Sequence, residues 1–130
     1  MTSTELLESA REALERAVAW IDEHGWLNSS KKGTNGERCI INTVGYVSPL
    51  MSSTYRLGDT IYREIAAVIA GENPIFRDTR YSDVQNIISF NDHYCRGPDH
   101  ARQILESTIK RIVGQLEESS CASAQEPVGS

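Results

Sequence analysis

Apolar residues recur at three- and four-residue steps through most of this chain, the spacing that sets side chains on one stripe of an α-helix. Leu6, Leu7, Ala10, Leu14, Ala17, Val18 and Ile21 make the first stripe. Thr2 and Glu5 suit a capping box at its start, and Gly25, after His24, suits the turn that ends a helix. The opposite face is charged, with Arg11 and Glu15, and Glu12 and Arg16, spaced to pair for about 0.3 kcal/mol each. A second stripe runs through Ile61, Ile65, Val68 and Ile69, with Asp59 as its expected cap and Gly71 as its stop. Ser82 and Gln85 form another capping box ahead of Val84, Ile87, Ile88 and Phe90. Gly97-Pro98 then opens a last helix, because proline suits a first helical turn. Its stripe is Ala101, Ile104, Leu105, Thr108, Ile109, Ile112 and Leu116.

Two segments read differently. Asn28 to Glu37 is polar and glycine-rich, with Asn35-Gly36 as a turn signal. Cys39 to Met51 carries Ile40, Ile41, Thr43, Val44, Tyr46 and Val47, which favour strands. A lone strand has nothing to pair with, so a buried helix from about Arg38 to Val47, stopped before Pro49, is the preferred reading. A short β-hairpin near residues 30–45, folded across Asn35-Gly36, is the alternative. The sum is an all-α fold, a compact bundle of four to five helices. It makes a single helical domain over 1–118 with a flexible C-terminal tail over 119–130. Each helix has one apolar stripe, so the helices must bury those stripes on each other.

Composition narrows the function classes. The chain has 130 residues, 39% hydrophobic and 24% charged, which fits one globular domain and not a disordered chain. A net charge of −5 argues against broad phosphate-backbone binding, so nucleic acid is not expected as a partner. No apolar run approaches the ~18 residues of a membrane helix, and no membrane association is expected. Met1 to Ala10 lacks a basic segment followed by an apolar stretch, so no secretory signal is expected. Cys39, Cys95 and Cys121 are widely spaced and form no CxxC pair, which points to a reducing, cytoplasmic location.

The densest polar cluster is Asn91-Asp92-His93-Tyr94-Cys95-Arg96-Gly97-Pro98-Asp99-His100. Histidine, cysteine and carboxylate are the usual zinc ligands, but the paired short intervals of metal sites are missing, so no metal and no cofactor is expected. A nucleophilic pair of Cys95 with His93 or His100 would need side chains that sequence neighbours seldom bring together. The structural reading is stronger. Asn91 suits a left-handed helix end, Asp92 a turn acceptor, and Asp99 the first turn of the last helix, with His93 and His100 exposed. His24 suits the end of the first helix. Trp20 lies beside the first stripe, where it serves the core or anchors a partner. The residues singled out as ligand or partner contacts are His24, Trp26, Asn91, Asp92, His93 and Asp99, with no catalytic set among them.

The order of these features is an amphipathic helix ending in His24-Gly25-Trp26, a glycine-rich loop, Cys39 to Gly45, a further helix, and Ile88-Ser89-Phe90-Asn91-Asp92 before the final helix. It resembles a family of small bacterial and phage proteins known as a domain of unknown function, in which an aromatic-Asn-Asp motif precedes a glycine-containing turn and the last helix. Here Phe90 stands where tryptophan is common, and Cys39 to Gly45 is richer in β-branched residues than that family's pattern. The resemblance spans about Glu5 to Leu116 and implies architecture, with no activity attached. The function expected is a non-enzymatic interaction or accessory module that binds another protein or itself. The alternative is an enzyme or small-ligand binder with its site around Asn91 to His100.

Overall fold

Thr2 opens the first helix by accepting a hydrogen bond from the Glu5 N–H on its hydroxyl at 3.1 Å. In the computed structural model, which describes residues 2–29, 33–48 and 55–125 and the side chains of these except at 55 and 120–125, helix α1 spans Ser3–His24. Leu6, Ala10, Ala13, Leu14, Ala17 and Ile21 are its buried stripe. It stops at Gly25, whose φ of +92° favours glycine and whose N–H donates to the Ile21 carbonyl at 2.8 Å.

The strand-like segment is helical. Helix α2 spans Ile40–Val47, and no strand occurs among the described residues. The hairpin alternative is therefore incorrect where it can be judged; residues 30–32 of it lie outside the described residues, as does Pro49, the expected stop. What stands in its place is an isolated parallel bridge between Trp26 and Arg38, with the Leu27 N–H donating to the Arg38 carbonyl at 3.1 Å. The physical reason is burial. Ile40, Thr43 and Val44 share one helical face and are fully buried, and that outweighs a β preference worth less than about 1 kcal/mol per residue.

Helix α3 spans Tyr55–Glu72 and carries Leu57, Ile61, Ile65, Ala66, Ile69 and Ala70 into the core. It begins before Asp59, which lies inside the helix and not at its cap, and it runs past Gly71. A short 3₁₀ turn follows at Pro74–Arg77, opened by the Asn73 side chain accepting from the Ile75 N–H. Helix α4 spans Asp83–His93 behind a complete Ser82–Gln85 capping box, with bonds of 3.1 and 2.8 Å. Helix α5 spans Pro98–Gln125, so the chain is helical through 119–125; residues 126–130 lie outside the described residues.

Helix α1 packs chiefly along α5 and against α2; α3 packs on α4, α5 and the 3₁₀ turn. This five-helix all-α bundle has one core, in which Leu14, Ile40, Ile61, Ile65, Ile87, Phe90, Leu105 and Ile112 are all fully buried. No helix among the described residues is long and apolar enough to cross a membrane.

Candidate functional site

The polar residues singled out in the sequence separate into three places. The first is a node around Asn91, which is 1% exposed. Asn91 does not end α4 in a left-handed conformation. It lies within the helix, and no non-glycine residue among those described has a positive φ. Its Oδ1 accepts from the Trp26 indole N–H at 2.6 Å and from the Ile40 N–H at 3.0 Å. Its Nδ2 donates to the Leu27 carbonyl and to Asp92 Oδ1, both at 3.0 Å. An asparagine amide has two donor hydrogens and two acceptor lone pairs, so all four are used. Flipping the amide would set NH₂ against two N–H donors, so the orientation is fixed. The Ile40 N–H is one of the free donors at the start of α2, and Asn91 therefore caps α2 from another helix. Cys39 assists at the same end, its sulfur accepting from the Asn42 N–H at 3.4 Å. Burial raises the pKa of the Cys39 thiol. Trp26, Asn91 and Asp92 are thus brought together, as a tie between the α1–α2 connection and α4.

His24 stands apart from that node. Its Nδ1–H donates to the Asn35 carbonyl at 2.8 Å and its ring stacks on Trp20 at 3.9 Å. Trp20 in turn donates from its indole N–H to the Gly36 carbonyl at 2.9 Å. Gly36 has φ +89°, and a Cβ there would lie 3.2 Å from the His24 ring and 3.3 Å from Trp20. The two rings therefore seat the Asn35-Gly36 turn, a role that neither a core Trp20 nor a partner anchor describes. His93 is exposed at the end of α4. Asp99 is exposed in the first turn of α5, as expected, and borders a depression of about 230 Å³ with Arg96 and His100. Among the described residues no group of three or more histidine, cysteine, aspartate or glutamate side chains could hold a metal ion.

His100 is the third place, and the expectation that it is exposed is wrong: it is 4% exposed. Its Nδ1 accepts from the Arg96 N–H at 3.0 Å, so the ring proton is on Nε2, which donates to both oxygens of Glu72 at 2.8 Å. With Nδ1 occupied, the imidazole has no nitrogen for the Cys95 thiol, which instead donates to the Gly97 carbonyl at 3.5 Å. The Cys95 pKa is raised, first by burial; the Gly97 backbone opposes this, the Glu72 carboxylate adds to it, and Arg96 has the smallest, lowering effect. A protonated, hydrogen-bonded thiol beside an occupied imidazole is the opposite of an activated nucleophile. The position carried a signal, since His100 lies one turn before Ile104 on the buried stripe of α5.

What the sequence did not suggest lies on the other side of α4. Phe76 turns inward from the 3₁₀ turn and packs edge-on against Phe90 and Tyr94 at 5.4 and 5.5 Å. Its neighbour Ile75 is thereby turned outward and is 70% exposed, and Tyr81 is 52% exposed. Both border a groove of about 480 Å³ against α4. A larger cleft of about 810 Å³, between α3, the 3₁₀ turn, α4 and α5, shares Phe76, Asp78, Tyr81 and Asn86 with that groove. Alanines 66, 67 and 70 of α3 line it together with Arg63, Arg77 and Arg111. Arg111 is held by Glu64, a buried residue of α3 that is 5% exposed. Glu64 stands three residues after Ile61, a spacing that could have flagged it.

Fold and site together define a small all-α protein in which Asn91 and His100 are engaged internally and Ile75 and Tyr81 stand exposed beside one groove. The chain belongs to the DUF6197 family, a family of unknown function, whose model matches residues 6–111. No curated protein and no solved structure matches it significantly.

Proposed function

We propose that this chain is a non-enzymatic interaction module that docks a protein partner on the face formed by the 3₁₀ turn and α4. The observation that carries this reading is the placement of exposed apolar side chains. Of the four large hydrophobics exposed among the described residues, three (Ile75, Tyr81 and Ile88) fall within one stretch of the chain. Ile75 and Tyr81 share a groove, and Ile88 follows Gln85 of that groove by one helical turn. Scattered exposed hydrophobics need no explanation, whereas a cluster beside a concave surface marks an interaction site. The resemblance carried by Phe90-Asn91-Asp92 supports an accessory protein of bacterial or phage origin. The widely spaced cysteines, two of them unpaired thiols, support a reducing cytoplasm as its location. The alternative, an enzyme or ligand site at Asn91 to His100, has less support, because Asn91 and His100 spend their polar atoms on protein partners.

The test is affinity capture from bacterial extract with wild type and with an Ile75→Ser, Tyr81→Ser double variant shown to be folded by circular dichroism. A protein held by the wild type and lost from the variant supports the reading. Identical sets on both would overturn it. Sedimentation of the purified chain over a hundredfold concentration range separates a foreign partner from a second copy.

A further inference from the structure

The arginine-lined cleft states what chemistry such a partner would present. Arg63, Arg77 and Arg111 border it, against Asp78 and Asp83 as its acids. Asp78 is not available as a countercharge, because Arg80 engages both of its oxygens, at 2.7 Å from Nη2 and 3.1 and 3.2 Å from Nε. Glu64 binds Arg111 through Nε and approaches Arg63 only to 4.0 Å. The Arg111 and Arg63 side chains remain 51% and 64% exposed, and the exposed Arg77 has no ion-pair partner among the described residues. Three arginines thus border the cleft against Asp83, the one lining carboxylate with no ion pair among the described residues, in a chain whose net charge is −5. At physiological salt the screening length is about 8 Å, so a ligand seated there responds to these arginines and not to the overall charge. The alanine floor lets a backbone approach closely, and Phe76 and Tyr81 connect the cleft to the apolar groove.

We infer that the cleft receives an acidic peptide segment, its carboxylates on Arg63, Arg77 and Arg111 and its apolar side chains in the groove beside Ile75 and Tyr81. This rests on the interaction reading above and adds the charge of the partner to it. Guanidinium groups take carboxylates in a two-point fork, and a peptide carrying both acids and bulky apolar residues matches both halves of the surface. A polyanion without apolar anchors matches only one half of this surface.

The test is selection of a random 12-residue peptide display library on the full chain, followed by fluorescence anisotropy of the winning peptide. Selected sequences should combine at least two Asp or Glu with bulky apolar residues. Their binding should weaken at least about tenfold on an Arg63→Glu, Arg77→Glu variant, about 1.4 kcal/mol, and also as salt is raised. Arg111 is left intact because it holds Glu64. Neutral or basic winners that bind the charge-reversed variant equally well, yet lose binding on Ile75→Ser, Tyr81→Ser, would overturn the acidic partner and leave the interaction face standing. Binding of a 12-nucleotide oligothymidine as tight as that of the winning peptide would also overturn it, in favour of a general polyanion site. If nothing is enriched, or winners bind both variants as well as wild type, the interaction face fails with it.

Discussion

The Asn91 node and the Ile75–Tyr81 groove treat polar and apolar groups in opposite ways. At the node, polar atoms are buried and every hydrogen-bonding position of one amide is filled from four directions. At the groove, large apolar side chains are left in water beside arginines with spare donors. A buried polar group must find partners inside the protein or cost about 1–3 kcal/mol, so its network is evidence about the fold. An exposed isoleucine forgoes about 2 kcal/mol of burial, so its position is evidence about what the fold does not use. Within the polar cluster that attracts attention in the sequence, Asn91, Cys95 and His100 are engaged inside the molecule, whereas Ile75 and Tyr81 have no such partners and stand in water.

If that division is correct, the largest effect on stability should come from the node. Asn91→Ala removes four bonds and leaves the Ile40 N–H and Leu27 carbonyl without their partner. It should destabilise the chain by about 3 kcal/mol, lowering Tm by roughly 10 °C for a domain of this size. Asn91→Asp is the sharper variant. It keeps the shape but puts a carboxylate oxygen opposite the Leu27 carbonyl and Asp92, and at pH 7 it should cost at least as much. Urea denaturation that found Asn91→Asp as stable as wild type would break the account of the node.

His100 comes next. His100→Ala should cost about 2 kcal/mol, because it strips the Arg96 N–H and the Glu72 carboxylate of a shared partner and opens a small void. Glu72→Gln keeps one acceptor for the His100 Nε2–H and should cost about 1 kcal/mol or less. The two variants measured side by side by thermal denaturation distinguish a hydrogen-bonded pair from mere packing: if the pair is only packing, Glu72→Gln changes nothing while His100→Ala keeps its cost. By contrast, Ile75→Ser with Tyr81→Ser should change stability by no more than about 0.5 kcal/mol, since neither side chain belongs to the core. A loss of several kcal/mol would mean that this face supports the fold and would remove the basis for treating it as a docking surface.

Much of the bundle was legible in the sequence because helix stripes report directly which face is buried. The stripes of α1 and α5 and the Ser82–Gln85 box are local signals, and the structure contains them as read. The segment 40–47 was ambiguous because its β-branched residues favour strand locally, while what outweighs that preference is tertiary: the burial of Ile40, Thr43 and Val44, with a cap from the Asn91 amide 51 residues away. The start of α3 was misplaced because Asp59 has the composition of a cap without the position of one. Of the candidate residues, Trp26, Asn91 and Asp92 do meet, but residue type alone could not say that their polar atoms would be spent on one another. The groove left no trace because exposure at Ile75 follows from its neighbour Phe76 turning inward, a consequence of packing and not of spacing.

The smallest predicted effect tests whether the arginine face is organised as described. Asp78 is held below the usual carboxylate range, at about 2, first by side-chain hydrogen bonds from Arg80 and then by the Arg80 backbone N–H, against a slight opposing push from burial. A carboxylate whose folded pKa is depressed contributes stability that is present above its unfolded value, about 3.8, and is lost as pH falls through about 2. Asp78 therefore stays ionised, and bound to Arg80, across the whole range in which ordinary aspartates titrate. In an NMR pH titration its side-chain carbonyl carbon should show a midpoint near 2 in wild type. In Arg80→Ala that midpoint should move up toward 3.8, with little change in stability at pH 7 because the pair is at the surface. A wild-type midpoint already near 3.8 would mean that Arg80 does not neutralise Asp78. The carboxylate would then be free to compete for Arg77 and its neighbours, and the cleft would lose part of the positive charge on which its preference for an acidic segment depends.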